Sequence, residues 1–157
     1  MPNDFNAKDI FDIAIKIEQN GAAFYRDAAA SMEAAKYKDF LLELADMEDE
    51  HEQTFTTMLK DLSDSETFSN TFDPKDENVL YIKALADTRV FFQKEKPDSS
   101  LKGILSSAIQ AEKDSIAFYL GMKEMIPEKL GQSKIDFIIK EEMSHIRLLA
   151  GKLSEFY

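Results

Sequence analysis

The residues in this chain best suited to chemistry are two glutamate–histidine pairs at one spacing, Glu48 with His51 and Glu142 with His145. The chain has only two histidines, and each has a glutamate three residues before it. Neither pair belongs to a polar helical face. In "LADMEDEHEQTF", residues 44 to 55, helical periodicity puts Leu44, Glu48, His51 and Phe55 along one stripe, which Leu41, Met58 and Leu62 extend. Around "KEEMSHIRLL" the matching stripe is Ile135, Ile138, Glu142, His145, Leu149 and Leu153. An acid and an imidazole in the middle of an apolar stripe need a reason, because burying a charge costs several kcal/mol even after relaxation.

An internal repeat supplies one. "AIKIEQNGAAFY" at residues 14 to 25 lies over "AIQAEKDSIAFY" at 108 to 119, an offset of 94 positions that pairs Glu18 with Glu112 and Tyr25 with Tyr119. Glu48 and Glu142, and His51 and His145, share that offset. Glu18 and Glu112 also interrupt apolar stripes, so four carboxylates and two imidazoles converge on one core. Two divalent cations would balance the four negative charges. A shell of oxygen and imidazole donors suits iron or manganese, with zinc as a further substitute. One Glu from each of two helices and a Glu-x-x-His from each of the other two is the ligand pattern of dinuclear carboxylate bundles.

Other residues near these positions have plainer readings. Tyr25 and Tyr119 stand two turns beyond Glu18 and Glu112, either as core aromatics or as hydroxyls that hold the carboxylate ligands in a second shell. Proton or electron donation by them is left open. Gly21 and Ser115 read as close helix packing, with room for a small oxygen species as the alternative, and Phe24 and Phe118 as packing residues. Asp49, Glu50, Glu52 and Glu141 read as a solvated face.

Four long periodic segments must position the ligands, at about residues 7 to 32, 35 to 61, 100 to 126 and 131 to 156. The first two are joined by almost no loop, and Pro127 and Gly131 mark a turn between the last two, so each pair predicts an antiparallel hairpin. The intervening segment, about 63 to 99, is polar and long enough to cross the bundle, which makes the second and third long helices parallel. Within it, Asp73 and Pro74 predict the cap and first position of a short fifth helix over "ENVLYIKALADTRVFF". The expected fold is all-α: an antiparallel four-helix bundle of two hairpins joined by a long crossover, one domain over 1–157.

Composition sets the bounds. There is no cysteine among the 157 residues, so disulfides and thiolate-held metals are excluded. The formal charge of −11, with no basic patch, argues against nucleic acid and anionic lipid as partners. Neither a secretory leader nor a membrane-spanning run is present, which predicts a soluble cytoplasmic protein.

With these motifs in place, the chain resembles the rubrerythrin-like branch of the ferritin-like superfamily over essentially its whole length. The resemblance implies two iron ions, with Glu48 and Glu142 as bridges, Glu18 and Glu112 as terminal carboxylates, and His51 and His145 each on one metal. It further implies a homodimer that reduces hydrogen peroxide. Full-length rubrerythrins carry a cysteine-ligated iron domain that supplies electrons. A chain without cysteine needs a separate, rubredoxin-like donor, and peroxide or dioxygen is its small-molecule substrate. Three other readings stay open at this point: a ferroxidase, a binding module whose metal is only structural, and a metal-free polar core.

Overall fold

The computed structural model of the chain describes residues 6–63, 73, 75–88 and 100–157. These form helices α1 (Ala7–Ala30), α2 (Ala35–Ser63), α3 (Glu77–Thr88), α4 (Leu101–Met125) and α5 (Gln132–Leu153), with short 3-10 turns at Glu128–Leu130 and Ser154–Phe156. The architecture is all-α, as the periodicity predicts.

Local chemistry fixes the helix starts. Asn6 opens α1 with a capping box: its Oδ1 accepts from the Asp9 amide at 3.0 Å, and its own amide donates to Asp9 Oδ2 at 3.0 Å. Ser100 Oγ accepts from the Gly103 amide at 3.0 Å at the start of α4. Gly131 begins α5 with φ 119°, a left-handed conformation that suits glycine. At α3 the cap differs from the expected one. Asp76, not Asp73, caps the helix, its Oδ1 accepting from the Asn78 and Val79 amides at 2.8 and 3.3 Å. Asp73 instead accepts from the Lys75 amide at 2.9 Å and forms a local turn ahead of the helix. Pro74 and the expected continuation of α3 to Phe92 lie outside the described residues.

Side-chain pairs reveal the helix directions. Along α1, Gln19 bonds Glu52 of α2 while Arg26, further on, pairs with Asp46 and Asp49, so α1 and α2 are antiparallel. Between α4 and α5, Glu112 lies beside His145, and Lys123 pairs with Asp136 at 3.0 Å, again antiparallel. Tyr25 meets Glu112 and Tyr119 meets Glu18, so α1 and α4 are antiparallel too. It follows that α2 and α4 run parallel, which a long crossover permits and a tight loop does not.

Within each hairpin the helices pack along most of their length, whereas the hairpins face one another with their backbones further apart. That spacing leaves room between them for side chains as large as Glu and His. The crossover helix α3 lies against α4, where Ile82 enters the core and the Tyr81 hydroxyl donates to the Ala117 carbonyl at 2.7 Å. The core falls into two apolar clusters. One is built from large residues such as Phe11, Phe55, Met58, Phe118 and Ile135, and the other is richer in alanine, including Ala28, Ala45 and Ala108. The polar layer lies between them.

Candidate metal centre

Glu18, Glu48, His51, Glu112, Glu142 and His145 are all between 0% and 2% exposed, and the bundle brings all six together. They fall into two overlapping groups, Glu18, Glu48, His51 and Glu142, and Glu48, Glu112, Glu142 and His145. In each group the ligand atoms lie within 4.8 Å of one another. One helix each supplies Glu18 (α1) and Glu112 (α4), while α2 and α5 each supply a Glu and a His one turn apart. Helical periodicity alone aims all six inward from the middle of four apolar stripes.

The two histidines face each other, with ring centroids 5.8 Å apart and planes 18° from parallel. Each turns Nδ1 toward three carboxylates. His51 Nδ1 is 2.9 Å from Glu142 Oε1, 3.6 Å from Glu18 Oε2 and 3.8 Å from Glu48 Oε2. His145 Nδ1 is 3.0 Å from Glu142 Oε2, 3.3 Å from Glu48 Oε1 and 3.5 Å from Glu112 Oε1. Glu48 and Glu142 therefore each present one oxygen to either histidine, and Glu18 and Glu112 each approach only one.

The tyrosines reach across the bundle. Tyr25 of α1 donates to Glu112 Oε1 at 2.7 Å, and Tyr119 of α4 donates to Glu18 Oε1 at 2.6 Å. Each hydroxyl thus holds the glutamate of the opposite hairpin, although sequence places it two turns from the glutamate of its own helix. Burial, then the nearby carboxylates, raise both phenol pKa values well above their ordinary value, which keeps them as proton-bearing donors. Ser115 is buried with its hydroxyl turned back to the Ala111 carbonyl at 3.0 Å, a packing role within α4.

One acid of the expected solvated face joins the layer instead. Glu141 is only partly exposed, and its Oε1 lies 3.1 Å from His51 Nε2. Its neighbour on the helix, Glu142, points into the core, so the periodicity of α5 alone assigns Glu141 to the outside. Only the packing of α2 against α5 carries it to His51. Glu50 is exposed, as its helical phase requires; Asp49 pairs with Arg26, and Glu52 accepts from Gln19.

The electrostatics show what the layer lacks. Glu48 and Glu142 are pushed well above the ordinary carboxylate range, first by burial and then by the carboxylates around them. Burial opposes the charged imidazolium of both histidines, but the glutamate carboxylates crowded around each Nδ1 outweigh it. His51 is raised, and His145 is pushed up to about 12. Burial would raise Glu112 as well, yet Glu142, the adjacent His145 imidazole and the hydrogen bond from Tyr25 bring it below its ordinary value. Even so, Glu18 Oε2, Glu48 Oε1, Glu112 Oε2, Glu142 Oε2 and both nitrogens of His145 are buried and make no well-aligned hydrogen bond, the 3.0 Å approach of His145 Nδ1 to Glu142 Oε2 included. Buried polar atoms are normally paired. Here their lone pairs converge on shared centres, and cations bound there would satisfy them, so the donor set fits a dinuclear metal site.

Fold and site together define a ferritin-like carboxylate bundle with a buried carboxylate and histidine cluster suited to two metals. The rubrerythrin family model matches residues 9–92, more than half of the chain. The chain belongs to the rubrerythrin family. It is also similar to the crystal structure of a protein from Thermotoga maritima described as ferritin-like and diiron-carboxylate, with 28% identity, a TM-score of 0.69 and coverage of 100% of both chains. No curated protein matches the sequence. No helix among the described residues is long and apolar enough to cross a membrane.

Proposed function

We propose that this chain is a di-iron oxidoreductase that reduces hydrogen peroxide, or dioxygen, with electrons from a separate donor protein. The observation that carries the reading is the division of oxygen atoms in the layer. Tyrosine occupies Oε1 of Glu18 and of Glu112, while Oε2 of each is buried and unpartnered, which suits one-oxygen terminal ligands. Glu48 and Glu142 each span the two histidines, which suits bridges.

Glu18 and His51 would complete one metal position and Glu112 and His145 the other, both through Nδ1. Two ferrous ions bound by these residues would supply the two electrons that, with two protons, take one hydrogen peroxide to two waters, and a separate donor would restore them. The chain's own part is to hold this chemistry in place and dry. Carboxylates tolerate changes of binding mode as charge alters, the imidazoles fix each end, and the tyrosine hydroxyls keep the terminal carboxylates from rotating.

The test begins with anaerobic loading with ferrous salt and elemental analysis, for which about two irons per chain are expected. Rapid mixing of the loaded protein with peroxide should then give a diferric absorption band far faster than mixing with air. Equal sluggishness toward both oxidants would sink the peroxidase reading. Repeated oxidation of added ferrous ion by dioxygen, with no reductant, would make the protein a ferroxidase instead. Metal that raises the melting temperature while neither oxidant reacts would leave only a structural clamp.

A further inference from the structure

The 94-residue register that pairs Glu18 with Glu112, Tyr25 with Tyr119, Glu48 with Glu142 and His51 with His145 does not extend to the residue before Glu142. The counterpart of Glu141 is Met47. The failure has a structural consequence. His51 Nε2 lies 3.1 Å from the Glu141 carboxylate, whereas His145 Nε2 is buried and has no hydrogen-bond partner.

A histidine that ligates through Nδ1 carries its remaining proton on Nε2. At His51 that proton has a carboxylate to receive it, which fixes the tautomer and ring orientation and strengthens Nδ1 as a donor. At His145 the same proton would be buried against no acceptor, and a buried unpaired donor is costly. The thioether at the corresponding place on α2 is at best a weak acceptor.

We infer that the two metal positions are inequivalent: the position completed by Glu18 and His51 loads first and holds its ion more tightly than the one completed by Glu112 and His145, with Glu141 acting as a positioning residue through His51. This rests on the dinuclear reading of the cluster. From the usual effect of losing such an outer partner, the affinities should differ by roughly 10- to 100-fold.

Because the chain has only two histidines, the test can watch each one directly. Metal-free protein with 15N-labelled imidazoles is titrated with Zn(II), which is redox-silent, and the two ring spectra are assigned with a His51→Gln variant. The expected result is that His51 nitrogens shift up to the first equivalent and those of His145 only toward the second. Glu141→Ala should make the two shift together, Glu141→Gln should restore part of the order by keeping an amide oxygen for Nε2–H, and Met47→Glu should tighten the second position. Circular dichroism checks that each variant remains helical. Histidines that shift in step in the unaltered protein, His145 shifting first, or an order that survives Glu141→Ala would each overturn the inference. If neither histidine shifts through two equivalents, the dinuclear reading fails and the inference with it.

Discussion

At the scale of single residues, the six central side chains were legible because each violates its surroundings. A glutamate in an apolar stripe is conspicuous, and a shared register of such violations more so. Glu48 and Glu142 are the residues on which both ligand groups depend. Glu48→Ala or Glu142→Ala should therefore abolish binding of both ions, while Glu50→Ala, on the exposed face, should leave about two per chain by elemental analysis. Loss of metal in the Glu50 variant would show that the layer extends to that face. Tyr119→Phe leaves Glu18 Oε1 buried without its donor at 2.6 Å. Metal affinity, read by competition with a chromophoric chelator, should fall ~10-fold or more; an unchanged affinity would reduce the hydroxyl to core filling. Glu141 escaped the sequence because it breaks no pattern. An acid on the outer side of a helix is ordinary, and its partner is 90 residues away in the chain.

Elements were legible to within a turn at most ends, since few glycines and prolines interrupt the periodicity, and Pro127 and Gly131 mark the turn between α4 and α5. The helix α3 starts at Glu77 as that stretch predicts, but its cap was not legible. Asp73 and Asp76 are both competent caps, and Pro74 favours the earlier one by its ordinary preference for the first helical position; Asp76 takes the role, its Oδ1 accepting from the Asn78 and Val79 amides. The seam between α3 and α4 also hides a constraint that sequence does not show. A Cβ added to Gly121 would fall 2.6 Å from Tyr81 Cδ2 and 2.8 Å from Ile82 Cδ1. Tyr81 could swing outward only by giving up its bond to the Ala117 carbonyl, and Ile82 is fully buried. Gly121→Ala should cost about 1–3 kcal/mol in urea unfolding with metal stoichiometry intact. A neutral or stabilising result would mean that α3 can slide along α4 without loss.

For the molecule as a whole, the polar layer makes stability depend on both proton and metal. In the metal-free protein Glu48, Glu142, His51 and His145 all have raised pKa values. The carboxylates favour the fold fully below the ordinary range near ~4.3, and the histidines below ~6.5; both contributions are lost as pH rises toward the folded values. Glu112, lowered, acts in the opposite sense, but only as pH falls below the carboxylate range. The melting temperature of the metal-free protein should therefore fall from about pH 5 to about pH 9, and metal, which replaces those protons, should flatten the curve and release protons on loading. A metal-free protein that melts higher at the alkaline end would contradict the assigned shifts.

The tyrosine bonds that cross between hairpins carry one more consequence, for kinetics. Tyr25 to Glu112 and Tyr119 to Glu18 join the two halves of the bundle through the layer itself, between two apolar clusters. Ions in such a layer escape when the hairpins part, and parting is a sub-global opening governed by the protein and not by whatever waits outside. Extraction by a chelator should thus reach a ceiling rate that no stronger or more concentrated chelator can raise, and that rate should match the slow amide hydrogen exchange of α1 and α4.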